Sequence, residues 1–465
     1  MRRLVIAGLA SGVGKTTISC ALIAAFRQRG HRVQPFKAGP DYIDPGYHAR
    51  AAERASRNLD SYLIPPDTLR TLFTRAACRA DLSVIEGVMG LYDGRNGRDE
   101  EGSTAQIAKL LSAPVVVVLD VAKTARTAGA WALGCVAFDP NLMVAGFILN
   151  HVGSEGHAQM ASAAVEAATG LPVLGAVPRA GDLAVPERHL GLVPAAEQEP
   201  DGDFIQRLAA AGKRWLALDK LWDIADSPDL APAQKGADLF PVRPVAPNVR
   251  IAVASDRAFN FYYQDNLDLL EAWGACLMPF SPLADEVLPD GTQGIYIGGG
   301  FPEMFAAELG ENTAMHRSLR AAVARGVPIY GECGGLMYMG RTLNDIRGND
   351  CPMAGLAPFA STMRELRLTM GYRTGTTLRS SPILPRNTRV RGHEFHYSTL
   401  SDPVDETTAA YSLDGGLPNF EGYAAGNVLA SYIHMHFATD PSIAPRFVGM
   451  CSQRQANRRT GRAPT

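Results

Sequence analysis

The chain has 465 residues, 46% of them hydrophobic and 20% charged, with a formal net charge of −2. That length exceeds one ordinary core and predicts two domains, and the near-zero charge gives no broad field for nucleic acid or an anionic membrane. Seven scattered cysteines without a C-x-x-C pair argue for a reducing compartment and against a disulfide framework or a cysteine zinc site. No apolar run approaches the ~20 residues that span a bilayer, and the run after Arg3 is too brief for a secretion signal, so a cytoplasmic protein is expected.

Residues 4–7 form an unbroken apolar run. The turn Gly8-Leu9-Ala10-Ser11-Gly12-Val13-Gly14-Lys15-Thr16-Thr17 comes next, and then an amphipathic helical pattern over 18–29 that stops at Gly30. A strict Walker spacing would place its first glycine at Leu9; here Gly8 lies one residue earlier. Strand, glycine turn and helix in that order make a phosphate cradle for ATP. Backbone N–H groups from Gly12, Val13, Gly14, Lys15, Thr16 and Thr17 would wrap the phosphates at a helix start. Lys15 would reach the terminal phosphates, and the Thr16 hydroxyl would sit on Mg²⁺.

Further apolar runs at 33–36, 82–85, 114–119, 144–149 and 172–176 alternate with helical stretches, which predicts a parallel sheet covered on both faces. Lys37, Asp41 and Asp44 crowd the turn after the run at 33–36. A lysine and two carboxylates there could hold metal and polarise an acid substrate, or simply form a structural ion pair. Glu86 closes the run at 82–85, the strand end where a second Mg²⁺ ligand belongs. An ordinary strand-end carboxylate is its alternative.

From about 225 to 248 the chain is rich in proline and poor in apolar periodicity, which marks a linker, with a boundary near 245. Apolar runs resume at 249–254, 276–280, 294–297 and 327–330. The last leads into Gly331-Glu332-Cys333-Gly334-Gly335, a strand-to-helix elbow presenting a thiol. The helix start behind Cys333 would favour the thiolate. The N–H of Gly334, with one from Gly299 or Gly300, would form an oxyanion hole. The base must come from His393, His396, His434 or His436. His434 and His436, alternating on a strand, would share one face, so spacing does not choose between them. The expected fold is therefore α/β with two doubly wound domains, at 1–245 and 246–447. A basic tail, 448–465, with four arginines and no acids after Cys451, is expected to be disordered.

A phosphate cradle and a thiol elbow in one chain are most simply a ligase that generates its own nucleophile and uses ATP to deliver it. The first turn, with Lys37, resembles dethiobiotin synthetase, whose phosphate loop has the same extra residue. Three further segments resemble the cobyrinate or hydrogenobyrinate a,c-diamide synthases over nearly the whole chain: Lys37-Ala38-Gly39-Pro40-Asp41-Tyr42-Ile43-Asp44-Pro45, Glu86-Gly87-Val88-Met89-Gly90-Leu91-Tyr92-Asp93-Gly94 and Ser431-Tyr432-Ile433-His434-Met435-His436-Phe437. The resemblance implies ATP- and glutamine-dependent amidation of two corrinoid carboxylates in cobalamin biosynthesis, and a class I glutamine amidotransferase domain of flavodoxin-like layering.

The resemblance also places the base at His434 and an adenine-reading role at Asn150, although Asn150 could equally form a turn before Gly153. Class I amidotransferases usually carry Glu two residues after that histidine; here the slot holds His436. His434 would then act in a dyad or be oriented by a carboxylate from elsewhere. The segment around His393, Glu394 and His396 is expected to border the meeting of the two sites. The rivals are a nickel sirohydrochlorin a,c-diamide synthase, a cobyric acid synthase, and a P-loop ATPase switch with an inactive amidotransferase-like domain. Corrinoid, L-glutamine and ATP are the expected partners, and a homodimer is a further possibility.

Overall fold

Seven parallel strands build the N-terminal sheet: β1 (Arg3–Gly8), β2 (Val33–Ala38), β3 (Arg57–Leu59), β4 (Leu82–Glu86), β5 (Val115–Asp120), β6 (Val144–Val152) and β7 (Val173–Pro178), in the order β3-β2-β4-β1-β5-β6-β7. The computed structural model describes all residues except 180–186, 189–190, 193–201, 231–238, 366, 403, 416–419 and 461–465. The chain divides into two compact units, Met1–Gly236 and Ala237–Thr465. The division falls inside the proline-rich stretch expected to be a linker, part of which lies outside the described residues.

Strands β1, β2, β4 and most of β5 are buried along their length, as a parallel sheet flanked by helices requires. Helix α1 (Lys15–Gln28) lays Ile18, Leu22 and Phe26 on the sheet within one apolar cluster that includes Leu4, Ile6 and Val116. The central strand β1 has β4 and β5 as neighbours, so its carboxyl end opens into the crevice where the strand order switches, the usual ligand position of such sheets. The apolar runs at 33–36, 82–85, 114–119, 144–149 and 172–176 all fall on strands of this sheet.

The second unit carries a nine-stranded mixed sheet. Ala275–Phe280, Val249–Ala254, Gly294–Ile297, Ile329–Glu332 and Val428–Ser431 run parallel. Phe420–Ala425, Ala409–Leu413, Thr369–Thr377 and Arg389–His396 extend it antiparallel. Four of the five parallel strands match the apolar runs in the sequence, and Val428–Ser431 adds a fifth. The antiparallel extension adds to the expected doubly wound layer, and its strands give little sequence signal because they are partly exposed and polar at many positions.

The C-terminal helix Ile443–Thr460 corrects the reading of 448–465 as a disordered tail. Its backbone is helical well past 448, and Ile443, Phe447, Val448 and Cys451 are buried; residues 461–465 lie outside the described residues. Deleting residues 448–465 would remove the buried side chains of Val448 and Cys451 from the core of this unit, an expected loss of about 3 kcal/mol. The thermal transition of this unit should drop by about 6–12 °C, measured calorimetrically; an unchanged transition would show that the helix end contributes nothing.

Candidate functional site

The phosphate loop leaves β1 at Gly8 and enters α1 through left-handed turns at Gly12 (φ 78°) and Gly14 (φ 94°). Gly14 is required twice. Its φ is one that other residues rarely adopt, and a Cβ there would lie 2.2 Å from Asn150 Nδ2. Asn150, at 5% exposure near the end of β6, donates from Nδ2 to Val13 O at 2.9 Å. Its side chain fastens the loop, a role that neither sequence expectation for it includes.

Lys15 Nζ is held by the carbonyls of Ala10 (2.8 Å) and Met89 (2.7 Å). Burial, then repulsion from Lys37, lowers its pKa to about 8 against the pull of nearby carboxylates. The Thr16 hydroxyl donates to Glu86 Oε1 at 2.9 Å, so two of the three expected metal ligands already meet. Thr17 comes next in the first turn of α1. Burial would raise Glu86, but Lys37 and His48 outweigh it and hold the carboxyl well below the usual range.

Lys37 is 2% exposed, and its ammonium reaches Asp44 Oδ2 (2.5 Å), Glu86 Oε1 (2.7 Å) and the Gly87 carbonyl (3.1 Å). Three acceptors use all three of its donors, the arrangement of a structural ion pair. Asp41 Oδ1 accepts the N–H groups of Ile43 and Asp44, and its Oδ2 stands 3.9 Å from Lys37. Asp41 therefore shapes the turn, and Asp44 is the more buried of the two carboxyls, pushed well above the usual carboxylate range by burial and by Asp41 against the pull of Lys37.

His48 joins this cluster without having been a sequence candidate. Its Nε2 lies 2.5 Å from Glu86 Oε2, and its Nδ1 is 3.4 Å from Ser56 Oγ. A signal was present: Asp44 and His48 are four residues apart, hence on one face of a helix, Asp44–Ala52, that also buries Tyr47 and Ala51.

In the second unit Glu332 ends strand Ile329–Glu332, and Cys333 turns the chain into helix Gly334–Met339. Cys333 has φ 50° and ψ −102°, a conformation costly for any residue with a Cβ. Its N–H bonds to Ser431 O at 2.7 Å, and its Sγ points along strand Arg389–His396, 3.7 Å from Phe395 O. The two glycines expected to offer an oxyanion donor differ in their bonding. The Gly299 N–H is already given to Phe261 O at 3.2 Å, whereas Gly300 makes no backbone bond through its N–H among the described residues. Gly300 N lies 3.1 Å from the Cβ position of Gly334, so these two glycines stand against one another at the elbow. Gly299 serves by being small, since a Cβ there would stand 2.6 Å from His434 Cε1.

The two late histidines diverge. After Val428–Ser431 the chain leaves the sheet, so strand alternation does not apply. His434 forms a two-bond backbone bridge with His393 (3.0 and 2.8 Å), and its ring meets Cys333 and Glu332. Burial would favour the neutral ring, but the Cys333 sulfur and the Glu332 carboxylate outweigh it and raise its pKa to about 10. His434 Nδ1 stands 3.8 Å from Glu332 Oε2. That is long for a hydrogen bond, yet opposite charges at such a distance attract by about 4 kcal/mol at an effective dielectric near 20.

His436 instead accepts from the Ala438 N–H at 3.2 Å and faces Asp265, 3.8 Å away. His393 and His396 are lowered to about 3 and about 4, chiefly by burial, and both stand on the strand that borders Cys333. His434→Ala should therefore reduce glutamine hydrolysis at least about 100-fold, and His436→Ala far less. Glutamate release from both variants decides it; greater damage in His436→Ala would move the base to His436.

Known proteins carry the same two-part arrangement. Residues 4–193 match the family model of the CobQ/CobB/MinD/ParA nucleotide binding domain, and residues 250–442 that of the CobB/CobQ-like glutamine amidotransferase domain. The chain is 44% identical over 453 residues to the cobyrinate a,c-diamide synthase of Dehalococcoides mccartyi, covering 96% of this chain and 97% of that one. It is 42% identical to the hydrogenobyrinate a,c-diamide synthase of Streptomyces coelicolor, covering 97% of each. It is likewise 42% identical to the cobyrinate a,c-diamide synthase of Salmonella typhimurium, covering 94% and 96%. With likeness along nearly its whole length and both domains matched, the chain belongs to the cobyrinate/hydrogenobyrinate a,c-diamide synthase family of glutamine amidotransferase ligases.

Proposed function

We propose that the chain amidates the a- and c-side-chain carboxylates of cobyrinate or hydrogenobyrinate, using ATP and glutamine, in cobalamin biosynthesis. The observation that carries this reading is the coexistence, in one chain, of an intact phosphate loop joined to Glu86 and an intact Cys333–His434 elbow. Cys333 attacks the glutamine amide carbon, and the Gly300 and Gly334 amides take up the negative charge on its oxygen. His434 hands a proton to the departing ammonia and then draws one from the water that hydrolyses the thioester. In the first unit a substrate carboxylate attacks the terminal phosphorus of ATP and ADP leaves. Ammonia then attacks the acyl phosphate, and phosphate departs. The same sequence on a second carboxylate gives the diamide.

Activation through phosphate is needed because a carboxylate is a poor acyl donor at neutral pH. Lys15, freed from the Ala10 and Met89 carbonyls, would neutralise charge on the transferring group. The hard oxygen donors of Thr16 and Glu86, 2.9 Å apart, suit Mg²⁺. When bound, that ion would supply charge neutralisation at the phosphates. Asp41 would need to turn away from its backbone donors to join them. Lys37 would act by holding Glu86 and Asp44 rather than by touching substrate.

A cytoplasmic location suits a chain using ATP and carrying free cysteines; no helix among the described residues is long and apolar enough to cross a membrane. A homodimer belongs to the proposal as well, testable by light scattering. The activity itself is tested by mass spectrometry after incubation with ATP, Mg²⁺ and glutamine. Gain of two amides on cobyrinate or on hydrogenobyrinate supports the reading and chooses the substrate. Amidation of nickel sirohydrochlorin alone, or ATP hydrolysis without any amide product, overturns it.

A further inference from the structure

We propose that Glu332, the residue immediately before the nucleophile, is the positioning carboxylate of His434 and replaces the acid that related sites carry two residues after the histidine. The inference rests on the reading of Cys333 as nucleophile and His434 as base, and goes beyond it.

Glu332 is 1% exposed and sits at the end of the parallel strand Ile329–Glu332, in register with Ser431, three residues before His434. Its Oε1 accepts the Tyr330 hydroxyl at 2.5 Å and the Met435 N–H at 3.0 Å; its Oε2 accepts the Tyr296 hydroxyl at 2.9 Å. Tyr330 and Glu332, two apart on one strand, lie on the same face, and Tyr296 comes from the neighbouring parallel strand.

These three donors are neutral. They satisfy lone pairs but leave a net negative charge in the interior, which is costly unless a positive partner stands close. The ion-pair partner that the described residues offer is His434, with Nδ1 3.8 Å from Oε2. The bond from Met435 N–H ties the carboxylate to the residue after His434, so ring and acid are fixed on one short stretch of backbone.

The other groups around the ring do not compete. His393, on the adjoining strand, is held neutral by burial, and Glu394 is engaged by Arg373 Nε at 2.8 Å. The slot two residues after His434 is occupied by His436, which faces Asp265 and takes the Ala438 N–H. A carboxylate at Glu332 can thus hold the imidazole with Nδ1 toward the acid and Nε2 toward the thiol, and stabilise the imidazolium formed when Cys333 loses its proton.

The test uses the full chain. Glu332→Gln keeps size and most hydrogen bonds but removes the charge. It should lower the glutaminase kcat about 100-fold, with KM for glutamine little changed. Tyr330→Phe, which removes a donor and leaves the charge, should cost only a few-fold. Unchanged kcat in Glu332→Gln, or equal loss in both variants, overturns the proposal.

A second measurement does not depend on Glu332→Gln folding. In Cys333→Ala the thiol is gone, and NMR titration of the His434 ring reads the carboxylate alone. Ionisation at least one pH unit above the ordinary value of about 6.5 is expected. Ionisation at or below that value overturns the inference. His434→Ala separates the two failures: if it still hydrolyses glutamine, the base assignment itself is wrong, whereas an inactive His434→Ala leaves the Glu332 result to be read by itself.

Discussion

Cys333→Ala should lose glutamine-dependent amidation by about 10⁴-fold or more, yet form diamide when ammonium is supplied in excess. The side chain removed is 5% exposed and lies on an elbow within the second unit, while the phosphate loop and Glu86 belong to the first. Loss of the sulfur removes the atom that forms the thioester and touches nothing in the phosphate loop. Glutamine and ammonium chloride at raised pH, where more free NH₃ is present, should be compared for ADP and diamide formation. Rescue by ammonium places the thiol in nitrogen supply alone. A variant that binds ATP but forms no amide from ammonia would sink the separation of the two chemistries.

Lys15→Ala should abolish synthesis from either nitrogen source, by at least about 10²–10³-fold. It removes the only charge that the loop itself aims at the transferring group. Burial and Lys37 lower Lys15 from 10.5 to about 8, which gives the effect a pH signature. Below pH 8 the free protein already carries the ammonium. Above it the amine is largely neutral, and binding of the triphosphate should bring the proton back. Calorimetry of ATP binding near pH 9, in buffers of different ionisation enthalpy, should show proton uptake in the wild type and none in Lys15→Ala. Wild-type synthesis rates in the variant, or uptake that survives in it, would refute the assignment.

The parts of this molecule that are legible in sequence are those whose logic is local. Gly12 to Thr16 must come after a strand and open a helix, and Cys333 must be flanked by glycines to turn so sharply; both are visible within ten residues. Glu332 stands in view, next to the nucleophile, but its function depends on Tyr296 and Met435, far away in sequence and adjacent only after the parallel strands register. Asn150 looks like a turn former beside Gly153 because only its near neighbours are visible in the string, whereas its amide spans 137 residues to Val13. Charge density singles out Lys37 and Asp41, and only packing says that Asp44, not Asp41, goes into the interior. Gly299 and Gly300 are indistinguishable as letters; the Phe261 carbonyl, by accepting one N–H, makes them different. The polar edge strands of the second sheet escape for a related reason, since half-exposed strands lack the continuous apolar run that marks a buried one.

The dihedral angles of Cys333 have an implication for how this enzyme could be lost. Holding a residue with a Cβ at φ 50° and ψ −102° costs on the order of 1–3 kcal/mol, and glycine would be nearly free of that strain. Replacement of the nucleophile by glycine would relieve that strain, offset the loss of a buried side chain, and leave a folded protein wholly unable to use glutamine. Stability does not guard activity at this one backbone position. A population of variants enriched only for solubility or thermal survival would not be purged of inactive chains there, and would carry them without any sign of misfolding.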